Sequence, residues 1–268
     1  MDKSILFLGT SHGEPSRTRF CSSALYSFGN NKLLVDAGEP VAALLIRQGI
    51  NPSDIGGCII THFHGDHVNG LFQLVYQMGR YPVEGVFPTI CFPEECNIPP
   101  FKAWREATYS QAKLDTVTLR AFPPEGTPLY MKDNKLSDET SEGAVKITSI
   151  NGRHLWRMNA RAQAFLMEYN GIRIVHTGDL CEELDDFPLK PGDEPCDVCV
   201  CEGTHFYWEL EKAIEVLRHV PVRRMIFNHV SPYWTDGNEY KLMQLTADLP
   251  YPVDIARDGE FFALDKLV

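Results

Sequence analysis

The apolar run Ile55 to Ile60 passes straight into Thr61-His62-Phe63-His64-Gly65-Asp66-His67, and apolar spacing resumes at once with Val68, Leu71, Phe72, Val75 and Met78. A short buried strand, a polar turn and a helix over 68–78 therefore follow one another, with the turn at a strand end, where α/β proteins gather their sites. The turn carries three imidazoles and one carboxylate within six positions. Neutral imidazole nitrogen and carboxylate oxygen are the usual donors for zinc, manganese or iron, and a turn lets neighbouring side chains converge where a straight strand alternates them. His62 and His64, two apart at the strand end, point the same way, while Asp66 and His67, beyond Gly65, can turn toward a second ion.

Regular pattern on both sides of this turn makes the chain a layered α/β protein, with sheets within and helices outside. Strands are expected at 4–9, 22–28, 32–36, 145–150, 162–169, 172–177, 197–201 and 224–228, and helices at 39–48 and from about Trp208 to Arg218. Prolines crowd the stretch from Tyr81 to Pro128, so regular elements there should be short, and Lys132 to Gly143 reads as a polar loop. Asp254 to Ala256 and Phe261 to Leu264, joined through Asp258-Gly259, look like a closing hairpin. No repeat or linker divides the 268 residues, so residues 1–268 are expected to form a single domain.

Composition narrows the function. With 44% hydrophobic residues the chain has material for a core, and 25 basic residues against 36 acidic give a net charge of −11, which repels nucleic acid and anionic lipid at long range. A large RNA is thereby disfavoured as a substrate. No apolar stretch approaches the length that spans a bilayer, and the run Ile5 to Leu8 is too short for a secretory signal. The eight cysteines are then expected to stay reduced, in the cytoplasm. Cys196, Cys199 and Cys201 read as small core hydrophobes because Cys199 and Cys201 alternate with Val198 and Val200.

Further donors lie at other strand ends. Asp179 follows the apolar strand that Gly178 closes, and its carboxylate is placed to bridge two ions; His154 and His229 each follow a strand. With the first cluster they complete two near-tetrahedral sets. Asp36 either supports the first cluster's loop or is a structural strand-end residue, and His12, in the loop Thr10 to Thr18, could face the same cleft but reads first as solvent-exposed. Core positions are expected for His176, and packing is the default for Phe101, Trp104, Trp156 and Tyr233.

These pieces, with Phe7-Leu8-Gly9-Thr10, Ser22-Ser23-Ala24-Leu25, Leu34-Val35-Asp36-Ala37-Gly38, Thr177-Gly178-Asp179, Glu202-Gly203-Thr204-His205, Asn228-His229-Val230-Ser231 and Ala256-Arg257-Asp258-Gly259, run nearly end to end in an order that resembles the metallo-β-lactamase superfamily. Within it the resemblance is to the branch of ribonuclease Z and the phosphodiesterase of the carbon-phosphorus lyase pathway. It implies a four-layered αβ/βα sandwich and two divalent metal ions, zinc first and manganese or iron as substitutes. His62, His64 and His154 would hold one ion, Asp66, His67 and His229 the other, and Asp179 would bridge them, with a metal-bridging hydroxide as nucleophile. His205 would protonate the leaving oxygen and Glu202 would orient it, so the implied catalytic set is Asp66, His205 and Glu202.

The long segment that separates the Glu-Ala-Thr and Gly-His-Ser-Thr motifs of ribonuclease Z, and its Gly/Pro-rich arm, have no counterpart here. The expected activity is therefore a binuclear hydrolase acting on a small or medium phosphodiester, and a homodimer is the default assembly. The alternatives are an iron-dependent oxidoreductase of the same superfamily, a hydrolase of thioesters or lactones, and a tRNA 3′-processing endonuclease.

Overall fold

The structure is a computed structural model that describes residues 3–108, 116–205, 210–234 and 237–267. Its first sheet takes β1 (Lys3–Gly9), β2 (Ser23–Phe28), β3 (Asn31–Val35), β4 (Gly57–Ile59), β5 (Thr89–Phe92) and β6 (Thr118–Ala121). The second takes β7 (Leu129–Lys132), β8 (Lys135–Ser137), β9 (Val145–Gly152), β10 (Ala162–Tyr169), β11 (Ile172–His176), β12 (Val198–Gly203), β13 (Met225–Val230) and β14 (Val253–Ile255). The chain then returns with β15 (Phe261–Ala263) to the first sheet, beside β1.

Strand periodicity explains the layering. Ile5 and Phe7 of β1 enter a central core shared by both sheets, whereas Leu6 and Leu8 enter an outer one. In β12, Val198 and Val200 face the centre and Cys199 and Cys201 face outward. A strand buried on both faces must be apolar at every position, and β1, β4 and β12 are nearly so. The outer face of the first sheet packs on α1 (Val41–Arg47), on α3 (Leu71–Arg80) and on α4 (Ile98–Thr108). That of the second packs on α5 (Leu210–Arg218) and α6 (Glu239–Thr246). The result is a four-layered αβ/βα sandwich.

Several expectations need correction. The helix expected over 68–78 is two helices, α2 (Gly65–Val68) and α3, because the chain breaks at Asn69–Gly70, where Gly70 sits under the carbonyls of Ala37 and Gly38. The polar loop over 132–143 contains the β7–β8 hairpin, turned by Asp133 and Asn134 at positive φ; β8 lies at a sheet edge, where polar residues are tolerated. The eleven-residue α4 lies in the Pro-dense stretch, with Pro99 and Pro100 in its first turn, where a missing N–H costs nothing. The closing hairpin does not form, since β14 pairs with β13 and β15 with β1 in different sheets. The helix α6 was not expected. Trp208, the expected start of α5, lies outside the described residues.

Strand direction places the site. β3 to β6 are parallel in the first sheet and β11 to β14 in the second. The carboxyl ends of β4, β11, β12 and β13 carry Thr61 to His67, Asp179, Glu202 to His205 and His229, so both sheets contribute to one crevice. Across the central core the Tyr26 hydroxyl meets His176 Nδ1 at 2.8 Å, joining β2 to β11 with both side chains buried. Removing that hydroxyl leaves a buried nitrogen unpaired, so Tyr26→Phe should lower unfolding free energy by about 1–3 kcal/mol in urea denaturation of the metal-free protein. An unchanged midpoint would show that this bridge does not hold the sheets together.

Candidate metal centre

The first cluster is fixed from below by Asp36. This fully buried residue adopts φ 59°, in the left-handed region, and its Oδ1 accepts the Thr61 N–H at 2.8 Å. Its Oδ2 accepts the Thr61 hydroxyl at 2.9 Å and lies 2.8 Å from His67 Nδ1. A carboxylate on Nδ1 fixes the proton there and leaves the Nε2 lone pair of His67 for a metal. Asp36 thus supports the His cluster.

His229 reaches the site through a break in register. Glu202 pairs with Asn228 but Gly203 pairs with Val230, so His229 is the extra residue of a bulge, at φ 51°. Bulges beside active sites re-aim a side chain, and this one turns the imidazole out of the strand's alternation. Gly178, at φ 61°, brings Asp179 in: a Cβ there would lie 2.8 Å from the Thr61 side chain.

The seven expected ligands come together. His62 Nε2 lies 3.0 Å from His64 Nδ1, which lies 3.4 Å from His154 Nε2. His62 Nε2 and His154 Nε2 lie 3.5 and 3.7 Å from Asp179 Oδ2. On the other side His67 Nε2 lies 3.2 Å from His229 Nε2 and from Asp66 Oδ2, and both imidazoles lie 3.5 Å from Asp179 Oδ1. Two groups of these donors, His62, His64, His154 and Asp179, and Asp66, His67 and His229, each hold their ligand atoms within 4.8 Å of one another, and His205 forms a further such group with Asp179 and His229. Protons cannot satisfy so many facing lone pairs at once, and Asp179 Oδ1 is buried without a hydrogen-bond partner among the described residues. Divalent cations fit this donor set.

Electrostatics agree for three of the imidazoles, whereas at His67 burial is outweighed by the charges of Asp179 and Asp36, which raise the group well above its ordinary value. Burial keeps His62, His64 and His154 below their ordinary pKa, in the neutral form that coordinates a metal. Burial would raise the Asp66 carboxyl, but the imidazoles of His229 and His67, 3.1 and 3.2 Å from its Oδ2, outweigh it and hold the group well below the usual carboxylate range.

His205 stands beside the ligands in the turn after β12, with Nδ1 2.9 Å from Glu202 Oε1 and Nε2 3.9 Å from Asp179 Oδ2. Burial alone would depress its pKa; the Glu202 charge and hydrogen bond, with Asp179, push it up to about 9. Buried Glu202 also accepts N–H groups from Leu180, Thr204 and His205 at 3.0, 2.8 and 3.0 Å. One carboxylate therefore fixes both the acid candidate and the backbone next to Asp179.

His12 needs correction: it is half-buried, not solvent-exposed, and its ring lies 5.9 Å from that of His229. His176 and the three cysteines are buried, as expected. Of the aromatics, Phe101 is core, while Trp104, Trp156 and Tyr233 are half-exposed. Trp104 stacks on Phe72, and Trp156 lies under the guanidinium groups of Arg153 and Arg157, next to His154.

Asp186 was missed by the sequence analysis. Its carboxylate accepts the Arg153 N–H at 2.6 Å and the Cys181 N–H at 3.1 Å, tying the loop that carries His154 to the one that carries Asp179. A lone acidic residue in a polar loop has no periodicity to betray such a role.

The family model described as Anti-Pycsar protein Apyc1 matches residues 3–186. The chain belongs to the Apyc1 family. It is also similar to a ribonuclease Z of Streptomyces coelicolor, 24% identical, with 96% of each chain covered. Among solved structures it resembles the metallo-β-lactamase fold protein YhfI from Bacillus subtilis, at TM-score 0.73, 20% identity and coverage of 98% and 99%. It likewise resembles a diphosphatase from the PhnP family, at TM-score 0.64, 13% identity and 97% of each chain. This Apyc1-family chain has the metallo-β-lactamase fold, with a centre whose donors fit divalent metal.

Supporting carboxylates of metal sites are typically worth 10- to 100-fold in metal affinity. Asp186→Ala should therefore weaken metal retention by about that factor in chelator competition, with Asp186→Asn recovering part of it through its remaining acceptor oxygen. Equal retention in all three proteins would make the Asp186 contacts irrelevant to the centre.

Proposed function

We propose that the protein is a two-metal phosphodiesterase, with His62, His64 and His154 around one ion, Asp66, His67 and His229 around the other, and Asp179 shared. What supports this is the division of one carboxylate: Asp179 Oδ2 faces the first group of imidazoles and Oδ1 the second. Zinc is the first candidate for both positions, with manganese or iron able to take the same donors. When bound, such a pair supplies Lewis acidity, lowers the pKa of a shared water and clamps the attacking and leaving oxygens of a displacement at phosphorus.

The chain's own groups do the rest. Glu202 holds the Nδ1 proton of His205, so Nε2, on the side of Asp179, is the atom that hands a proton to the leaving oxygen. Asp36 keeps the Nδ1 proton of His67 in place, and Asp66 orients against His67 and His229. The names of the relatives, a ribonuclease Z and a diphosphatase, support chemistry at phosphorus. The anti-Pycsar description of the family is the setting assigned to that chemistry. We read the substrate as small or medium, since the net charge of −11 opposes a long polyanion. No helix among the described residues is long and apolar enough to cross a membrane; with eight free thiols, seven of them buried, we assign the protein to the cytoplasm, as a single domain.

Elemental analysis joined to a panel of phosphodiesters, thioesters and lactams tests ion number and reaction class together. The expected result is two ions per chain and turnover of diesters; bound iron with oxygen consumption and no diester cleavage would replace the reading with an oxidoreductase. His205→Ala should keep both ions and lose about 10²- to 10⁴-fold in kcat. The loss should be larger for an alkoxide than for a nitrophenolate leaving group, because only the former needs its proton during the reaction. Loss of an ion in this variant would move His205 into the ligand set.

A further inference from the structure

We propose that His12 contacts the substrate directly, donating a hydrogen bond to a non-bridging phosphoryl oxygen of the group held at the metal centre. The proposal rests on the phosphodiesterase reading and adds a residue to it. His12 is not among the converging donor groups. No hydrogen bond engages its imidazole among the described residues, yet the ring is half-buried 5.9 Å from His229, and His205 lies 6.0 Å from the same His229 ring. An imidazole in either protonation state carries at least one N–H, and here that donor has no hydrogen-bond partner among the described residues, beside the proposed phosphodiester site.

The loop that carries His12 is held more firmly than a surface loop needs. The Thr10 carbonyl accepts the Val230 N–H at 2.8 Å, one residue beyond His229, and the Ser11 N–H reaches the Phe20 carbonyl at 2.7 Å. Ser11 Oγ closes on the Glu14 carbonyl at 2.6 Å. Beneath these, Arg19, only 2% exposed, donates through Nη1 to the Thr10 hydroxyl at 2.6 Å and to the Ala256 carbonyl at 2.5 Å. Asp258 accepts the Thr10 hydroxyl and the Phe20 N–H, each at 2.6 Å. The buried guanidinium, whose Nη2 also pairs with Glu239 at 3.4 Å, fixes this ten-residue loop, and the side chain the loop delivers beside His229 is His12. A donor fixed in advance loses little entropy when an oxyanion arrives.

The test compares wild type, His12→Ala and His12→Gln as metal-loaded enzymes, reading kcat and KM on bis(p-nitrophenyl) phosphate, metal content, and affinity for inorganic phosphate by calorimetry. His12→Ala should raise KM and weaken phosphate binding by about 10- to 100-fold, the range for a hydrogen bond to a charged group, with metal content intact and kcat little changed. His12→Gln, whose amide also donates, should recover part of that affinity, which a purely structural role would not do. Unchanged KM and phosphate affinity in His12→Ala, loss of metal, or a wild type that does not bind phosphate would each overturn the proposal. Should wild type cleave no diester but bind phosphate in a His12-dependent way, the phosphodiesterase reading fails and His12 stands as an anion-binding residue.

Discussion

Carboxylates buried under imidazoles organise this molecule. Asp36, Asp179 and Glu202 are all at most 5% exposed, and each gathers N–H, hydroxyl or imidazole neighbours around its buried carboxylate. Asp36 and Glu202 act as anchors: Asp36 accepts the N–H and hydroxyl of Thr61, Glu202 accepts three backbone N–H groups, and each also fixes the proton of one histidine. Asp179 differs. Its Oδ1 has imidazoles nearby but no hydrogen bond among the described residues, and a buried anion in that state calls for cations between it and its neighbours. The anchors set where those cations can sit.

That arrangement needs two sheets. Residues at the ends of β4, β11, β12 and β13 approach one another only because parallel strands in both sheets point their carboxyl ends at the same crevice. Local geometry then does the fine aiming through three unusual backbone positions, Asp36, Gly178 and His229, all at positive φ. Two of these are not glycine, so the surrounding hydrogen bonds and packing must hold the strain. Strain of this kind, clustered at the donors, fits a centre whose shape is set before any ligand arrives.

Much of this could be read from residue order. Strands buried on both faces, such as β10, announce themselves because nearly every position must be apolar, and the His-rich turn announces itself because so many donors in six positions serve no packing purpose. What escaped was set by tertiary context. The break between α2 and α3 comes from the close approach of Gly70 to the carbonyls of Ala37 and Gly38, residues far away in the chain. The separation of β14 from β15 depends on which sheet each strand finds, and two strands with a short connection read as a hairpin whichever way they go. Asp186 and His12 are single polar residues in loops, and a loop carries no period from which orientation could be inferred.

Charge scale links the centre to the size of ligand it suits. At physiological salt, fields fade over about 8 Å, so a small diester inside the crevice responds chiefly to the ions and side chains around it. A long polyanion also meets the acidic remainder of the surface, which the net charge of −11 makes repulsive. In the segment around His154, Arg153 and Arg157 both lie over the Trp156 ring, and Arg153 is also paired to Asp185, so these cations are already engaged. On the proposed phosphodiesterase reading, this charge balance favours a compact anion over a long one.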